Sequence, residues 1–436
     1  MKFKIREIDY SKYVGDKDLE AYYGLPSEVK FCRNCVISNQ RPNSTQEYKN
    51  KMGVKKSTIH FDDEGVCDAC RVAEAKRTTI DWQERERELE ELCSKFRRND
   101  GQYDCIVPGS GGKDSVYTSH VLKYKYKMNP LTVTWAPHMY TDWGWKNFQN
   151  WIHVGGFDNQ LNTPNGHIHR LLTRLAVENL FHPFQPFFFG QKALAPKLAC
   201  LLNIPLIFYG ENEAEYGNPI TTHNSPLQNQ EYYAFKESEE LYLAGTSVRE
   251  LQDEYGLSKN DLLPYMPADP MLLKKNKVQV HYLGYYLKWH PQSCYYYSVE
   301  NAGFQASPER NLGTYSKYAS LDDKIDDFHF YTTFLKFGIG RATYDASQEI
   351  RSQDIERDEG VALVNRFDGE YPHRFEKEVF QYLSINKEEF GRLADLFESP
   401  IMTNEYFTNL CEHHRSPHLW KYDNGKWALR HRVTNL

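Results

Sequence analysis

The stretch YDCIVPGSGGKDSVYTSHVL, residues 103–122, joins a short apolar run to a helical pattern through four small residues, a lysine and an aspartate. Residues 103–108 have the composition of a buried strand, and the helix is expected to open near Ser115. Glycines at 111 and 112 let backbone N–H groups approach an anion closely, and a helix N-terminus adds favourable partial charge. Ser110 and Ser115 supply further donors, Lys113 a positive charge, and Asp114 a carboxylate oxygen suited to Mg²⁺. The spacing excludes a Walker loop, because only Ser110 and Gly111 separate Gly109 from Gly112 and Asp114 follows the lysine.

Outward from this loop, strand and helix patterns alternate. Residues 130–136 (PLTVTWA) predict a second strand, and residues 204–217 a third with a polar, glycine-bearing exit. Between them, residues 169–181 and 193–203 predict helices, the latter despite Pro196. This alternation predicts an α/β fold, a parallel sheet covered on both faces, with ligands at the carboxyl ends of its strands. Upstream, residues 81–98 predict a charged helix with Asp81 as N-cap and Trp82, Leu89, Leu92 and Phe96 as its apolar stripe. Residues 218–270 are polar and proline-bearing, an insertion or lid, and from about 271 the chain turns aromatic and mostly helical. The expected organisation is a cysteine-bearing module and helix (1–98), a nucleotide domain (99–270) and a helical substrate or partner region (271–436).

Two CxxC pairs, Cys32/Cys35 and Cys67/Cys70, predict a four-sulfur tetrahedral site of the kind zinc prefers, closed to substrate and therefore structural, with an iron–sulfur cluster or a redox pair as the alternatives. Residues 36–66 between the pairs exceed the usual ribbon spacing and imply a looped ribbon. Cys93, Cys105, Cys200, Cys294 and Cys411 read as core thiols. With 40% hydrophobic and 14% aromatic residues the chain can bury a sizeable core. Lys+Arg 53 against Asp+Glu 59 gives a net charge of −6, which argues against a nucleic-acid partner. No apolar run suits a signal peptide or a membrane span, so a cytoplasmic location with no membrane partner is expected.

The loop resembles the SGGxDS loop of the N-type, or PP-loop, ATP pyrophosphatases, similar in fold to the adenine-nucleotide α-hydrolases. That resemblance implies ATP cleavage between the α and β phosphates, with pyrophosphate left in the loop. Taken with the double knuckle, GFDNQLNTPNGHIH (156–169), YGENEAEYG (209–217) and GRATYDASQEIR (340–351), the chain resembles the N-acetyl sugar amidotransferases of lipopolysaccharide O-antigen and flagellin-sugar biosynthesis, typified by the pseudaminic acid amidotransferases. The resemblance extends from Cys32 to about Pro417. It implies a synthetase subunit that converts a sugar N-acetyl group to acetamidino by O-adenylation and ammonia attack, using ATP, Mg²⁺ and Zn²⁺. It also implies ammonia from a separate glutaminase with a cyclase-like partner, and a sugar carried on a nucleotide. Two other readings stay open: a tRNA-thiolation enzyme of the same superfamily, and a non-catalytic nucleotide-binding scaffold.

Further candidates follow from position. Glu211 and Glu213 stand just past the third strand, able to hold Mg²⁺ or orient ammonia. Gly190 and Gln191 follow the apolar FQPFFF, where a base could pack. Lys336 and Arg341 are candidate cations for the α-phosphate or the sugar, or else salt-bridge partners of Asp345 and Glu349; Arg351 is a weaker candidate. Asp322, Asp323, Asp326 and Asp327 read either as a metal or sugar site or as the solvated face of a helix. His167, His169, His223, His413 and His414 show no metal-ligand spacing, and the absence of GxSxG and GxGxxG patterns excludes the common hydrolase and dehydrogenase sites.

Overall fold

The computed structural model describes residues 3–218, 225–235 and 240–435. Its centre is a five-stranded, wholly parallel sheet. The strands are β1 (Cys105–Pro108), β2 (Pro130–Trp135), β3 (Asn159–Asn162), β4 (Leu206–Tyr209) and β5 (Gln279–Tyr282), in the spatial order 3-2-1-4-5. This order reverses direction beside β1, which is where open parallel sheets bind ligands.

Alternation along the strands makes the two faces. Ile106, Leu131, Val133, Ile207 and Val280 pack beneath Ala195 and Ala199 of α6 (Gln185–Leu202). Cys105, Val107, Leu206 and Phe208 point the other way, against Leu89 and Cys93 of α2 (Trp82–Phe96) and Val121 and Leu122 just past α3 (Lys113–His120). Asp81 caps α2 as its position predicts, its carboxylate accepting from the Gln83 and Glu84 amides. Pro196 lies inside α6 without ending it.

Two strands of this sheet were not expected. β3 is polar because it is the sheet edge, with Gln160 and Leu161 exposed. β5 lies beyond residue 270, so the sheet draws its last strand from the region read as a separate helical part. The helix Pro291–Ala302 likewise packs on α3, where Ser298 Oγ donates to the Lys113 carbonyl at 2.9 Å. Residue 270 is thus no structural boundary.

The helices Asp326–Phe337, Glu376–Leu383 and Asn404–His414 share one core with α5 (Gly166–Leu180). A fully buried ion pair anchors them: Arg174 Nε donates to Glu178 Oε1 at 2.8 Å, Tyr406 donates to the same oxygen, and Arg174 Nη1 donates to the Leu383 carbonyl. Both of these buried charges are thus partnered, as low dielectric demands. No helix among the described residues is long and apolar enough to cross a membrane.

Candidate active site

β1 ends at Pro108 and α3 begins at Lys113, so residues 109–112 turn at the carboxyl edge of the central strand. Gly111 has φ +85°, and a Cβ there would sit 2.7 Å from the Phe148 Cα; the fold itself requires this glycine. Gly112 differs. A Cβ on it would meet nothing nearer than the Ser110 hydroxyl at 3.7 Å, so its bareness serves the cavity it lines. Gly111→Ala is therefore expected to cost roughly 1–3 kcal/mol in a denaturant melt. Gly112→Ala should unfold with the wild-type protein yet weaken ATP binding about tenfold or more by titration calorimetry.

Residues 110–114 form one wall of a cavity of about 420 Å³. Lys113 Nζ lies 2.7 Å from both carboxylate oxygens of Asp114. Burial works against the Lys113 ammonium, yet the neighbouring carboxylates, Asp114 foremost, lift its pKa above the ordinary value. Glu211, just beyond β4, faces the same space. Burial, helped by the Asp114 charge, pushes it up to about 7, while Tyr216 donates to its Oε1 at 2.9 Å. Asp114 and Glu211 offer the one or two carboxylates by which Mg²⁺, which retains most of its waters, is usually held beside phosphates.

The opposite wall comes from the helix Arg341–Ser352. Arg341, Tyr344, Asp345, Gln348, Glu349 and Ser352 line the cavity, at spacings that follow one helical face, while Ala342, Thr343, Ala346 and Ser347 are buried behind it. Arg341 Nε stands 2.9 Å from Asp345 Oδ1, Nη1 donates to Ser320 Oγ at 2.8 Å, and the guanidinium lies 4.5 Å from the Phe330 ring centre. Arg341 thus pairs with Asp345 while lining the cavity. Glu349 accepts from the Tyr315 and Tyr318 hydroxyls. Asp322, Tyr216 and Tyr318 line the cavity as well, and sequence reasoning singled out only Asp322 among these.

A second, aromatic cavity of about 170 Å³ opens at the ends of β1 and β2, between Val133, Trp135, Phe184, Phe187 and Phe188, with Gln191 on its rim. Ser110 and Asp322 face both cavities. The buried Trp135 Nε1 has no partner within the protein. An apolar slot joined to a phosphate loop suits a nucleoside. Gly190 does not face it, because a Cβ there would stand 2.1 Å from the Trp135 ring; this glycine permits helix–strand packing rather than base contact.

Other expectations are corrected. Lys336 is remote from the phosphate loop: it is buried, and its Nζ donates to the Leu180 carbonyl at 2.7 Å. The helix Asp326–Phe337 ends at Gly338, whose left-handed φ of +67° turns the chain, so Lys336 and Arg341 face different spaces. Glu213 accepts from Gln228 and Asn218 outside the cavity. The aspartates at 322–327 are no solvated face: Asp323 accepts from the His138 amide and pairs with its ring, and Asp327 pairs with Arg374 at 2.9 Å. His223 lies outside the described residues.

The four cysteines Cys32, Cys35, Cys67 and Cys70 are buried with their sulfurs all within 4.8 Å of one another. The Cys32–Cys70 and Cys35–Cys67 separations are 3.8 and 3.7 Å. Those spacings are far too long for disulfides. They match the roughly 3.8 Å edge of a tetrahedron with metal–sulfur bonds near 2.3 Å. The amides of Asn34, Cys35 and Cys67 point at Cys32 Sγ, the usual support of a thiolate. Arg351, at the far end of the cavity-lining helix, reaches to 3.9 Å from Cys35 Sγ. Among the described residues this is the one cluster of three or more metal-ligating side chains.

Residues 312–434 match the family model of the C-terminal domain of WbpG-like lipopolysaccharide (LPS) biosynthesis proteins. An uncharacterized protein of Methanocaldococcus jannaschii is 33% identical over 78 residues, 18% of this chain and 27% of that protein, so the chain spans about a quarter of the relative's length. Among solved structures, the NH3-dependent NAD synthetase of Campylobacter jejuni aligns at 15% identity, TM-score 0.25, over 45% of this chain and 93% of that one. The U34-tRNA thiolase NcsA of Methanococcus maripaludis, solved with its [4Fe-4S] cluster, aligns at 11% identity and TM-score 0.28, over 73% of this chain and 89% of that one.

Proposed function

Starting from a chain that joins a WbpG-like C-terminal domain to a parallel sheet with a pyrophosphate loop, we propose an ATP-dependent, AMP-forming amidotransferase of bacterial surface-sugar biosynthesis. In this reading it converts a sugar N-acetyl group, on a nucleotide carrier, to acetamidino. The observation that carries the proposal is the composition of the main cavity. One wall is the phosphate loop; the facing wall, from Arg341 to Ser352, belongs to the segment that matches the WbpG-like domain.

The residues divide the work accordingly. The loop amides and Lys113 bind the β–γ pyrophosphate, and Gln191 with the aromatic slot receives the nucleoside. Asp114 and Glu211 are the residues that would hold Mg²⁺, whose charge neutralises the leaving pyrophosphate. Arg341 offers its guanidinium to the charge that develops on the α-phosphate. The carboxylates and tyrosine hydroxyls facing the loop accept and donate to sugar hydroxyls. The amide oxygen attacks the α-phosphorus and pyrophosphate leaves; the amide proton departs with formation of the imidate. Ammonia then adds to the imidate carbon and AMP leaves with the former amide oxygen.

We assign the four cysteines to a structural zinc, and the ammonia to a separate glutaminase with a cyclase-like partner. The thiolation alternative calls for a cysteine at the reacting atoms. None lines the cavity among the described residues, and Cys294, the nearest in its electrostatic effect on Lys113, is buried with its thiol pushed well up by burial.

The test is a mass-spectrometric assay with ATP, Mg²⁺, ammonium chloride and a panel of free and nucleotide-linked N-acetyl sugars. The expected result is AMP together with one sugar lighter by the difference between O and NH. ATP turnover with no sugar in that panel changed, alongside thiolated tRNA in a parallel assay, overturns the proposal.

A further inference from the structure

A second cavity of about 430 Å³, as large as the active-site cavity and sharing no lining residue with it, opens between residues 20–24, residues 50–56 and the last turn of α5. Six basic side chains line it, Lys4, Arg6, Lys51, Lys55, Lys56 and Lys336, against two carboxylates, Glu20 and Glu178. That is a marked local excess in a chain whose net charge is −6. We infer that this cavity is a second ligand site, separate from the catalytic one, that takes a small organic phosphate of nucleotide size.

Neither carboxylate neutralises the excess. Glu178 is taken up by Arg174 and Tyr406, and Glu20 lies 3.6 Å from Lys12. Lys51 donates to the Tyr242 hydroxyl at 3.2 Å, and Lys336 satisfies the Leu180 carbonyl at the end of α5. Lys4, Arg6, Lys55 and Lys56 make no ion pair among the described residues. The floor and the rim then play different parts. Lys336 is buried and Lys56 half-buried; burial lowers the pKa of both, and Lys56 lowers that of Lys336 further. The opposing pull of Glu47 on Lys336 is weaker than either, and the imidazoles around it, His182, His329 and His414, are themselves pushed down by burial. A phosphate dianion beside this floor favours the ammonium form, so it binds with uptake of a proton. The exposed Lys4, Arg6 and Lys55 form the rim that draws the anion in.

The size and the rest of the lining call for more than a bare anion. Phe3, Tyr22, Tyr23 and Met52 supply an amphipathic surface for a base or a sugar ring. Tyr23 is held there against backbone preference, with φ +61°, left-handed for an aromatic residue. The Lys56 amide donates to its carbonyl at 2.7 Å and its hydroxyl donates to the His414 carbonyl at 2.9 Å, which leaves Lys336 Nζ 5.0 Å from the ring centre. Gly24, at φ +74°, lets this segment press on residues 50–56: a Cβ there would stand 2.7 Å from the Lys55 Cβ. The inference uses no step of the amidotransferase reading.

The test is calorimetric titration of the full-length protein with UMP, glucose 1-phosphate and inorganic phosphate, at about pH 8.5 so that all three are dianions. It is run in two buffers of different ionisation heat. The expected result is that at least one of the two esters binds about tenfold or more tighter than inorganic phosphate, with a heat that differs between the buffers as proton uptake requires. Lys56→Met and the exposed Lys55→Glu should each weaken that binding about tenfold or more, and Lys336→Met should remove the buffer dependence. Lys113→Met, altered in the phosphate loop, should bind as wild type. If Lys56→Met or Lys336→Met melts early, Lys55→Glu alone decides. Failure of both esters to bind overturns the inference, as does inorganic phosphate binding as tightly as they do. Binding that Lys113→Met abolishes and Lys55→Glu leaves intact places the phosphate in the loop and overturns it too. Every one of these results leaves the amidotransferase reading where it stands, because none requires turnover.

Discussion

On the proposed function, Lys113→Met is expected to lower sugar-dependent pyrophosphate release by roughly a hundred- to a thousandfold, the scale on which a preorganised charge at a developing anion acts. The argument is local. The ammonium is nearly buried, sits 2.7 Å from both Asp114 oxygens, and is the cation among residues 109–115. Removing it leaves the departing pyrophosphate without the one fixed cation of the loop. Methionine preserves the volume. The Asp114 side chain keeps a third of its surface open to the cavity, so water solvates the carboxylate and the melting temperature should move little. A rate within threefold of wild type would remove Lys113 from the reaction and reduce the loop to a turn. Asp114→Asn supplies the complementary result: a raised Mg²⁺ requirement at saturating ATP.

The second large effect concerns the cysteines. Wild-type protein is expected to carry one zinc per chain by plasma mass spectrometry, and Cys32→Ser or Cys67→Ser to carry much less. Site formation of this type contributes roughly 10–16 kcal/mol of apparent binding energy in small zinc modules, so its loss is a folding event for the segment that holds it. The melting temperature should fall by roughly 5–10 °C. Limited proteolysis should cut more readily between residues 36 and 66, whose two ends the knuckles hold, even though Gln40, Ser44 and Tyr48 bond to the rest of the chain. The AMP-forming rate should fall too, because Arg351 ties the helix Arg341–Ser352 to Cys35. A metal-free protein with unchanged melting and unchanged turnover would show the cluster to be dispensable.

What the sequence disclosed, and what it hid, follows from how local each feature is. β1, its loop and α3 are contiguous, and apolar run, glycines and helix pattern all describe one turn of chain. The knuckles are local as well, each a pair three residues apart, although their convergence is not. β3 escaped notice because an edge strand need not be apolar, and Asn159–Asn162 has no periodic signal. β5 escaped because a change of composition near 270 suggested a domain end. Arg341 and its helix were half legible: their polar residues recur at i, i+3 and i+4, a pattern that a count of helical faces detects without knowing what the face opposes. Asp322 was legible as a candidate acid, but it faces the cavity from a loop, so only the tertiary fold could separate it from Asp323 and Asp327, which pair elsewhere. Lys336 was misassigned because five residues of sequence separation suggested proximity to Arg341, whereas the left-handed turn at Gly338 sends the two side chains apart.

The helix Arg341–Ser352 touches the cysteine cluster at one end and the phosphate cavity along its length. Two ligands that brace one rigid body are coupled, and coupling free energy is reciprocal. Whatever the metal contributes to fixing the cavity wall, nucleotide bound at that wall returns in equal measure to the metal. On the proposed function, the chain saturated with ATP would then hold a metal at its four cysteines more tightly than the nucleotide-free chain.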